Sequence, residues 1–278
     1  MTDSPSSPTI AVFDSGFGGL TVLRALLPLM PGANFIYLGD TARLPYGAKS
    51  QQTIARYAVS SAAFLLAQGA QMLVVACNTA SALALDEIKA ALPIPVVGVI
   101  EPGAAAALAS APSAANAISS DAQILVLATA ATVQSGAYTR ACAALGLRVY
   151  EKACPLLVPL VEEGWIEHPV TADVLRIYLS EALAAAPNVT TLVLGCTHYP
   201  LIKPLIECTL KELGHTLTIV DSASATAHAA ARVLPLRASS ATPTCTFYAT
   251  DSIEKFQRMG SAFLGQLLPQ VKLIDLGG

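Results

Sequence analysis

The chain has 278 residues, of which 54% are hydrophobic and 13% are charged, so it can bury the core of one large domain or of two ordinary ones. The formal net charge is −3, and the lysines and arginines are scattered along the chain. This pattern excludes a basic nucleic-acid surface and a polybasic membrane anchor.

The start of the chain and its cysteines favour a cytoplasmic protein with free thiols. The segment MTDSPSSPT lacks the positive charge and apolar run of a signal peptide. No apolar stretch approaches the ~20 residues of a membrane span without a charge or a proline. Six cysteines are too few for a secreted disulfide framework in a chain of this length, and none forms a C-x-x-C pair. We therefore expect no structural zinc site.

Taken in chain order, short apolar runs alternate with longer segments of helical pattern. The runs predict strands at 9–14, 34–40, 71–77, 94–100, 123–129, 147–154, 191–196 and 217–222. The helix candidates between them are 51–68, 79–92, 134–145, 170–186 and 204–213. The runs are rich in β-branched residues and almost continuously apolar, as in strands that helices cover on both faces. The alternation therefore predicts an α/β fold with parallel sheets and right-handed crossovers.

A weak internal repeat indicates that the chain contains two similar halves. Cys77 lies 67 residues after Ile10, the start of one apolar run, and Cys196 lies 72 residues after Ile124, the start of another. Ligands bind at the carboxyl ends of strands in open α/β sheets. We therefore expect two open parallel-sheet domains related by pseudo-twofold symmetry, with the active site in the cleft between them.

We expect two domains with the following bounds. The first would comprise residues 1–103 and 218–278 and would carry Cys77. The second would comprise residues 104–217 and would carry Cys196. An alanine- and serine-rich stretch at 101–120 marks the first change of domain weakly, since part of it also fits a helix.

Cys77 and Cys196 are the strongest candidates for chemistry. Each follows an apolar run and precedes polar side chains, in LVVACNTAS and LVLGCTHYP. Asn78 and Thr79 suit the N-cap of the next helix, and a helix N-terminus favours the reactive thiolate. A buried apolar role explains a single cysteine of this kind equally well. The matched pair favours function, and we assign the other four cysteines to structural roles.

Other segments place polar residues in loops or at strand ends. Asp14 and Ser15 lie in DSGFGGL, Tyr46 and Gly47 in DTARLPYGAKS, Thr129 and Thr132 in ATAATVQS, Glu162 and Glu163 in VPLVEEGW, and His198 in CTHYP. The glycines of DSGFGGL would let the backbone approach a small polar ligand, although the segment is neither G-x-G-x-x-G nor a P-loop. Helix caps, surface turns and a solvated helix end explain these residues equally well or better when each is taken alone.

Two opposed thiols suit two kinds of chemistry. Disulfide exchange needs Cα atoms within about 7 Å of each other. Inversion at a carbon needs one base on each face, so that one thiolate removes a proton and the opposite thiol returns one. Two matched domains facing each other across a cleft would supply the second arrangement, with polar turns holding the amino and carboxylate groups.

The motifs also resemble those of the glutamate racemases, within the cofactor-independent aspartate/glutamate racemase superfamily. The resemblance runs through AVFDSGFGGLTVLR, YLGDTARLPYG, ACNTAS, CPLLVPLVEEG, LGCTHYPLI, VDSASATA and FYATDSIEKF…FLG, in the order of that family and over nearly the whole chain. The histidine of GCTHYP and the DSGFGG motif near the start resemble the corresponding features of glutamate racemases rather than those of aspartate racemases.

The resemblance implies roles for particular residues. It implies that Cys77 deprotonates D-glutamate and Cys196 L-glutamate, with Asp14 assisting Cys77, His198 assisting Cys196, and Glu162, or its neighbour Glu163, as a further acidic helper. The implied substrate-binding residues are Asp14, Ser15, Tyr46, Gly47, Asn78, Thr79, Thr129, Thr132, Thr197 and His198. It also implies a cytoplasmic homodimer without pyridoxal phosphate or metal that supplies D-glutamate for peptidoglycan, with no nucleic-acid or membrane partner.

Four alternatives remain open at this point. The same scaffold could racemise another amino acid or decarboxylate a malonate. A two-domain protein could bind a dicarboxylate without turning it over, but this leaves the paired cysteines without a purpose. A thiol oxidoreductase lacks its C-x-x-C motif, and a pyridoxal-phosphate enzyme would need a Schiff-base lysine.

Overall fold

Parallel strands and helices alternate along the chain in the computed structural model, which describes residues 7–110, 113–114, 117–118, 123–234 and 243–277. The strands are β1 Thr9–Asp14, β2 Asn34–Gly39, β3 Met72–Val75, β4 Val96–Gly98, β5 Ser113–Ala114, β6 Ala117–Ile118, β7 Gln123–Ala128, β8 Arg148–Ala153, β9 Val189–Gly195, β10 Thr218–Asp221, β11 Cys245–Ala249 and β12 Val271–Leu273. The helices are α1 Leu20–Leu26, α2 Gln51–Ala67, α3 Asn78–Ala91, α4 Ile100–Ser110, α5 Ala130–Ser135, α6 Ala137–Ala144, α7 Leu157–Glu162, α8 Pro169–Ala185, α9 Lys203–Glu212, α10 Ser222–Val233 and α11 Ile253–Leu264. Thr41–Arg43, Tyr46–Ala48 and Tyr199–Ile202 form 3₁₀ turns.

Two parallel sheets carry the fold, as predicted. The first has the strand order β12-β11-β2-β1-β3-β4 and the second the order β10-β9-β7-β8. The inner strands β1, β3, β7 and β9 are almost wholly buried, which explains why they read as continuous apolar runs. The predicted α/β class with two parallel-sheet domains is confirmed.

Four strands of each sheet follow the same order, and this shared order corresponds to the internal repeat of the sequence. The order β2-β1-β3-β4 in the first sheet corresponds to β8-β7-β9-β10 in the second. Cys77 therefore follows β3, and Cys196 follows β9, at equivalent positions of the two sheets. The first sheet is extended by β11 and β12, which have no counterpart in the second sheet among the described residues.

The boundaries between the sheets differ from the expected ones. Strand β10, at Thr218–Asp221, pairs with β9 and so lies in the second sheet, whereas we expected the first domain to resume at residue 218. Helix α4, at Ile100–Ser110, packs against β9, β10 and α6, so the chain reaches the second sheet before residue 104. The bounds of the two domains along the chain stay a prediction.

Helices α1 and α10 join the two sheets through one apolar cluster. They pack against each other, and Leu20 and Leu23 of α1 share a buried cluster with Ala223 and Ala227 of α10. Among the described residues, no helix is both long enough and apolar enough to cross a membrane.

The predicted helix at 134–145 is split in two. Helix α5 begins at Ala130 and ends where Gly136 adopts the left-handed conformation with φ of 62°, and α6 follows directly. A glycine at this position ends a helix without strain, because it has no Cβ.

Candidate active site

A cavity of about 540 Å³ lies where the carboxyl ends of β1, β3, β7 and β9 meet. We call it the central cavity. The predicted site residues that line it are Ser15, Tyr46, Gly47, Cys77, Asn78, Thr79, Thr129, Glu162, Cys196, Thr197 and His198. Asp14 and Thr132 are buried behind this surface, and each lies next to lining residues. The structure thus brings the two cysteine turns together in one cavity.

Cys77 occupies the N-cap of α3. Its Sγ accepts a hydrogen bond from the Ala80 N–H at 3.4 Å and donates to the Ser15 Oγ at 3.5 Å. The prediction that Asn78 or Thr79 caps this helix is wrong, because the sulfur itself takes the capping position. Burial and the nearby Asp14 carboxylate raise the pKa of Cys77 to about 12, so this thiol is protonated near neutral pH.

Cys196 lies beside a histidine that another side chain holds in place. The Nδ1 of His198 is 3.8 Å from the Cys196 Sγ, and its Nε2 is 3.3 Å from the Glu162 Oε1. Burial alone would lower the pKa of His198, but its hydrogen bonds with Cys196 and Glu162 outweigh burial and raise the pKa to about 10. His198 is therefore protonated near neutral pH and places a cation beside the Cys196 sulfur.

Glu162 is the acidic residue that contacts His198. Burial would raise the pKa of Glu162, but the hydrogen bond from His198 and the charge of Lys255 outweigh it and lower that pKa. Glu163 also lines the central cavity. At neutral pH, Glu162 is therefore an anion that faces the protonated imidazole.

Asp14 is buried at the end of β1. Its Oδ2 accepts a hydrogen bond from the Gly16 N–H at 3.0 Å, and its Oδ1 has no partner among the described residues. Burial raises the pKa of Asp14 above its usual value, although the His198 charge opposes this effect. A carboxyl group in this state can hold or release a proton inside the protein.

The glycines that follow Asp14 make room for the protein's own side chains. A Cβ on Gly18 would lie 2.4 Å from the Thr197 Oγ1 and 2.6 Å from the His198 Nδ1. A Cβ on Gly19 would lie 2.6 Å from the Asp14 Cβ. Gly18 thus leaves room for Thr197 and His198, and Gly19 leaves room for Asp14. This role differs from the close approach to a ligand that we expected. Gly19 is the N-cap residue of α1, and no side chain caps this helix, so Ser15 does not cap it.

Three threonine hydroxyls meet at one side of the central cavity. The Oγ1 of Thr79 is 3.0 Å from that of Thr129 and 3.3 Å from that of Thr132, and the last two are 3.0 Å apart. Thr129 also caps α5 by accepting from the Thr132 N–H. Beside them, the Asn78 Oδ1 accepts from the Tyr138 hydroxyl at 2.9 Å, and the Asn78 Nδ2 has no partner among the described residues. These hydroxyl and amide donors suit a carboxylate ligand.

A buried aspartate fixes the loop that carries Tyr46 and Gly47. The Tyr46 hydroxyl donates to the Asp40 Oδ2 at 2.6 Å, and the Thr250 hydroxyl donates to the Asp40 Oδ1 at 3.0 Å. This loop therefore presents a rigid wall to the central cavity. Asp40 lies in a motif that we singled out, but its role as a hydrogen-bond acceptor under the loop was not predicted.

Sequence reasoning missed three residues around His198. The rings of Phe17 and Phe263 lie 6.1 Å and 5.0 Å from the His198 ring, and the Lys255 Nζ lies 3.4 Å from the Glu162 Oε2. Lys255 and Phe263 come from α11, and Lys255 is 93 positions from Glu162 in the chain. No local sequence pattern signals such a contact.

Within the described part of the chain, no group of three or more His, Cys, Asp or Glu residues is arranged to hold a metal ion. The ionisable side chains of the central cavity form hydrogen bonds with one another instead. The arrangement is therefore suited to moving protons between sulfur, imidazole and carboxyl groups on the two sides of a bound molecule.

Comparison with known proteins agrees with this chemistry. The family model described as Asp/Glu/Hydantoin racemase matches residues 21–230. A glutamate racemase from Koribacter versatilis is 49% identical over 301 aligned positions, which cover 99% of this chain and 100% of that protein. The crystal structure of glutamate racemase from Francisella tularensis in complex with D-glutamate superposes with a TM-score of 0.85, at 33% identity over 98% of each chain. That from Thermus thermophilus in complex with beta-chloro-D-alanine has a TM-score of 0.84, at 39% identity over 98% of this chain and 99% of that one.

Proposed function

Since the chain belongs to the Asp/Glu/hydantoin racemase family and is an amino-acid racemase, we propose that it interconverts L-glutamate and D-glutamate by two-base proton transfer at Cα. The observation that carries this proposal is the pairing of Cys77 and Cys196. They lie at equivalent strand ends of two similar sheets, and both line the central cavity. The names of these similar proteins support glutamate as the substrate.

In the L-to-D direction, the Cys196 thiolate removes the α-proton, and the electron pair of that bond is left on the planar intermediate. The Cys77 thiol then donates its proton from the opposite face and becomes a thiolate. In the D-to-L direction, the two cysteines exchange roles. The raised pKa of Cys77 keeps this thiol protonated near neutral pH, as a proton donor requires, and His198 places a cation beside Cys196.

The helpers of the two cysteines differ in chemistry. His198, which Glu162 holds in place, would stabilise the negative charge on the Cys196 sulfur whenever that sulfur has given up its proton. Asp14, buried near Cys77, would take part in the corresponding proton movement on the other side. Two unlike groups thus serve two like thiols.

The donors around the threonine cluster would hold the substrate carboxylates. The free Nδ2 of Asn78 and the hydroxyls of Thr79, Thr129 and Thr132 converge on one side. The remaining substrate-binding residues that we propose are Asp14, Ser15, Tyr46, Gly47, Thr197 and His198. Donors fixed before binding orient the α-carbon between the two sulfurs.

The wider role that we propose follows the family resemblance. The enzyme would work without pyridoxal phosphate or metal, as a cytoplasmic homodimer, and would supply D-glutamate for peptidoglycan. Its full-length match to glutamate racemases supports this role.

Hydrogen exchange in D2O tests the proposed reaction. Purified protein without added cofactor is expected to place deuterium at Cα of either glutamate enantiomer while the optical rotation decays to zero, because every inversion removes the α-proton. Aspartate, shorter by one methylene, is expected to exchange about 10–200-fold more slowly. Binding of glutamate without exchange would instead identify a binding protein, and faster exchange of aspartate would identify a racemase for another amino acid.

The protonated state of His198 predicts a basic limit for activity. The pKa of His198 is raised to about 10, so its cationic form persists above its ordinary range and disappears as pH rises through this value. We expect kcat/KM to fall over that interval, measured by circular dichroism from pH 7 to pH 11. The variant His198→Asn has no ring to titrate and should be less active, with this limb absent. An unchanged limb in that variant would contradict the assignment.

A further inference from the structure

We propose that Lys255 is a positioning residue for the Cys196 side of the site, because it fixes the Glu162 carboxylate that holds His198. This inference rests on the proposed racemase function. Neither the motifs nor the repeat gave Lys255 a role.

The Glu162 carboxylate bridges two cations, with one oxygen for each. Its Oε1 lies 3.3 Å from the His198 Nε2, and its Oε2 lies 3.4 Å from the Lys255 Nζ. The Glu162 side chain is 18% exposed and that of Lys255 is 42% exposed. The lysine therefore occupies the more open side of the carboxylate and leaves one oxygen to face the imidazole.

The pair connects elements that lie on different sheets. Lys255 belongs to α11, which packs on α1 and β12 beside the first sheet. Glu162 ends α7, which packs on α8 and on the turn after His198, beside the second sheet. The contact thus joins elements from the two sides of the central cavity, and both residues line that cavity.

Helix α11 itself is held firmly against the site. Phe256 and Phe263 are buried, and the Phe263 ring packs edge-on against the His198 ring at 5.0 Å. The Lys255 Nζ also lies 5.7 Å from the centre of the Phe17 ring. Helix α11 therefore sets the position of the His198 ring and also that of Lys255, the cation that contacts Glu162.

Loss of the lysine charge would change what His198 faces. The ionisable groups around the imidazole are Cys196, Glu162 and, across the site, Asp14, with Lys255 one contact further away. Without Lys255, the Glu162 carboxylate has an unpaired oxygen and can rotate away from the ring, and the loss of this contact outweighs the removal of the more distant cation. The imidazole then loses its proton at a lower pH.

The test compares Lys255→Met, Lys255→Arg and the control Arg258→Met. Methionine keeps the length of the side chain without its charge, arginine keeps the charge, and Arg258 is an exposed cation on the same helix. The readouts are the pH profile of kcat/KM and an NMR titration of the His198 ring protons in the free enzyme. Thermal unfolding checks that each variant is folded.

We expect Lys255→Met to lower the titration midpoint of His198 by about 0.5–1 pH unit, a shift kept small by the exposure of the lysine. The basic limb of kcat/KM should move down equally, with about a three- to tenfold loss of activity above about pH 10. Lys255→Arg should restore both within about twofold, and Arg258→Met should change neither.

An unchanged His198 midpoint in Lys255→Met overturns the inference. A raised KM with unchanged midpoint and kcat also overturns it, because Lys255 would then bind the substrate directly. If Lys255→Met unfolds, the titration in Lys255→Gln decides in the same way. If the wild-type protein does not racemise glutamate, the proposed function is refuted instead. The His198 titration midpoints, measured by NMR without substrate, then still show whether Lys255 positions Glu162.

Discussion

Replacing either Cys77 or Cys196 with alanine is expected to lower kcat/KM for racemisation by about 10²–10⁴-fold or more, the usual contribution of a positioned acid or base. Each substitution leaves one face of the substrate without its proton carrier. Since the two enantiomers have equal free energies, kcat/KM must fall equally in both directions. The decay of optical rotation, started from each enantiomer, measures this loss.

A finer outcome separates the two thiols. In Cys77→Ala, the remaining Cys196 can still remove the proton of L-glutamate and return a deuteron to the same face, so L-glutamate is expected to exchange without inversion. Cys196→Ala should do the same with D-glutamate. The control is Cys142→Ala, which removes a buried thiol packed under the second sheet. Racemisation at the wild-type rate in either Cys77→Ala or Cys196→Ala would refute the two-base mechanism.

Gly18→Ala is expected to lower kcat by about 10²-fold while the protein stays folded, since displacement of catalytic groups by about 1 Å costs that much. The new Cβ would overlap the Thr197 hydroxyl and the His198 ring at 2.4 Å and 2.6 Å. These side chains can move aside, and the core strands need not. Steady-state kinetics and thermal unfolding of the same sample measure the two effects.

Gly16→Ala is the matched control for this prediction. The nearest neighbour of its Cβ would be the end of the Leu44 side chain, at 3.1 Å, and a small adjustment of that side chain relieves the contact. We expect a much smaller loss of kcat than in Gly18→Ala. Similar losses in both variants would show that the loop tolerates no Cβ at all and that the contact with His198 is not the reason.

The paired cysteines could be predicted because the fold is repeated. Strands β3 and β9 are buried on both faces, so each reads as an apolar run whose end is visible in the sequence. Equivalent positions in two similar sheets then identify Cys77 and Cys196 together. The local geometry at Cys77 escaped prediction, because a sulfur rarely takes the N-cap that Asn78 and Thr79 ordinarily favour.

Contacts between distant segments were outside the reach of the sequence patterns. Lys255 meets Glu162 only because β11 and α11 return the chain to the first sheet, and these elements have no counterpart in the repeat. The need for glycine at position 18 could not be predicted for the same reason, because the atoms that leave no room for a Cβ there belong to Thr197 and His198. Such constraints depend on the assembled fold.

The mutual hydrogen bonds of Thr79, Thr129 and Thr132 bear on how tightly the site can hold its substrate. In the proposed binding mode, a carboxylate that enters must replace bonds which the hydroxyls already make with one another, so each new bond adds little net affinity. The hydroxyls are nevertheless ordered in advance, which reduces the entropy lost on binding. Such a site favours accurate placement over strong retention, and weak retention leaves either enantiomer free to depart after its proton has been returned.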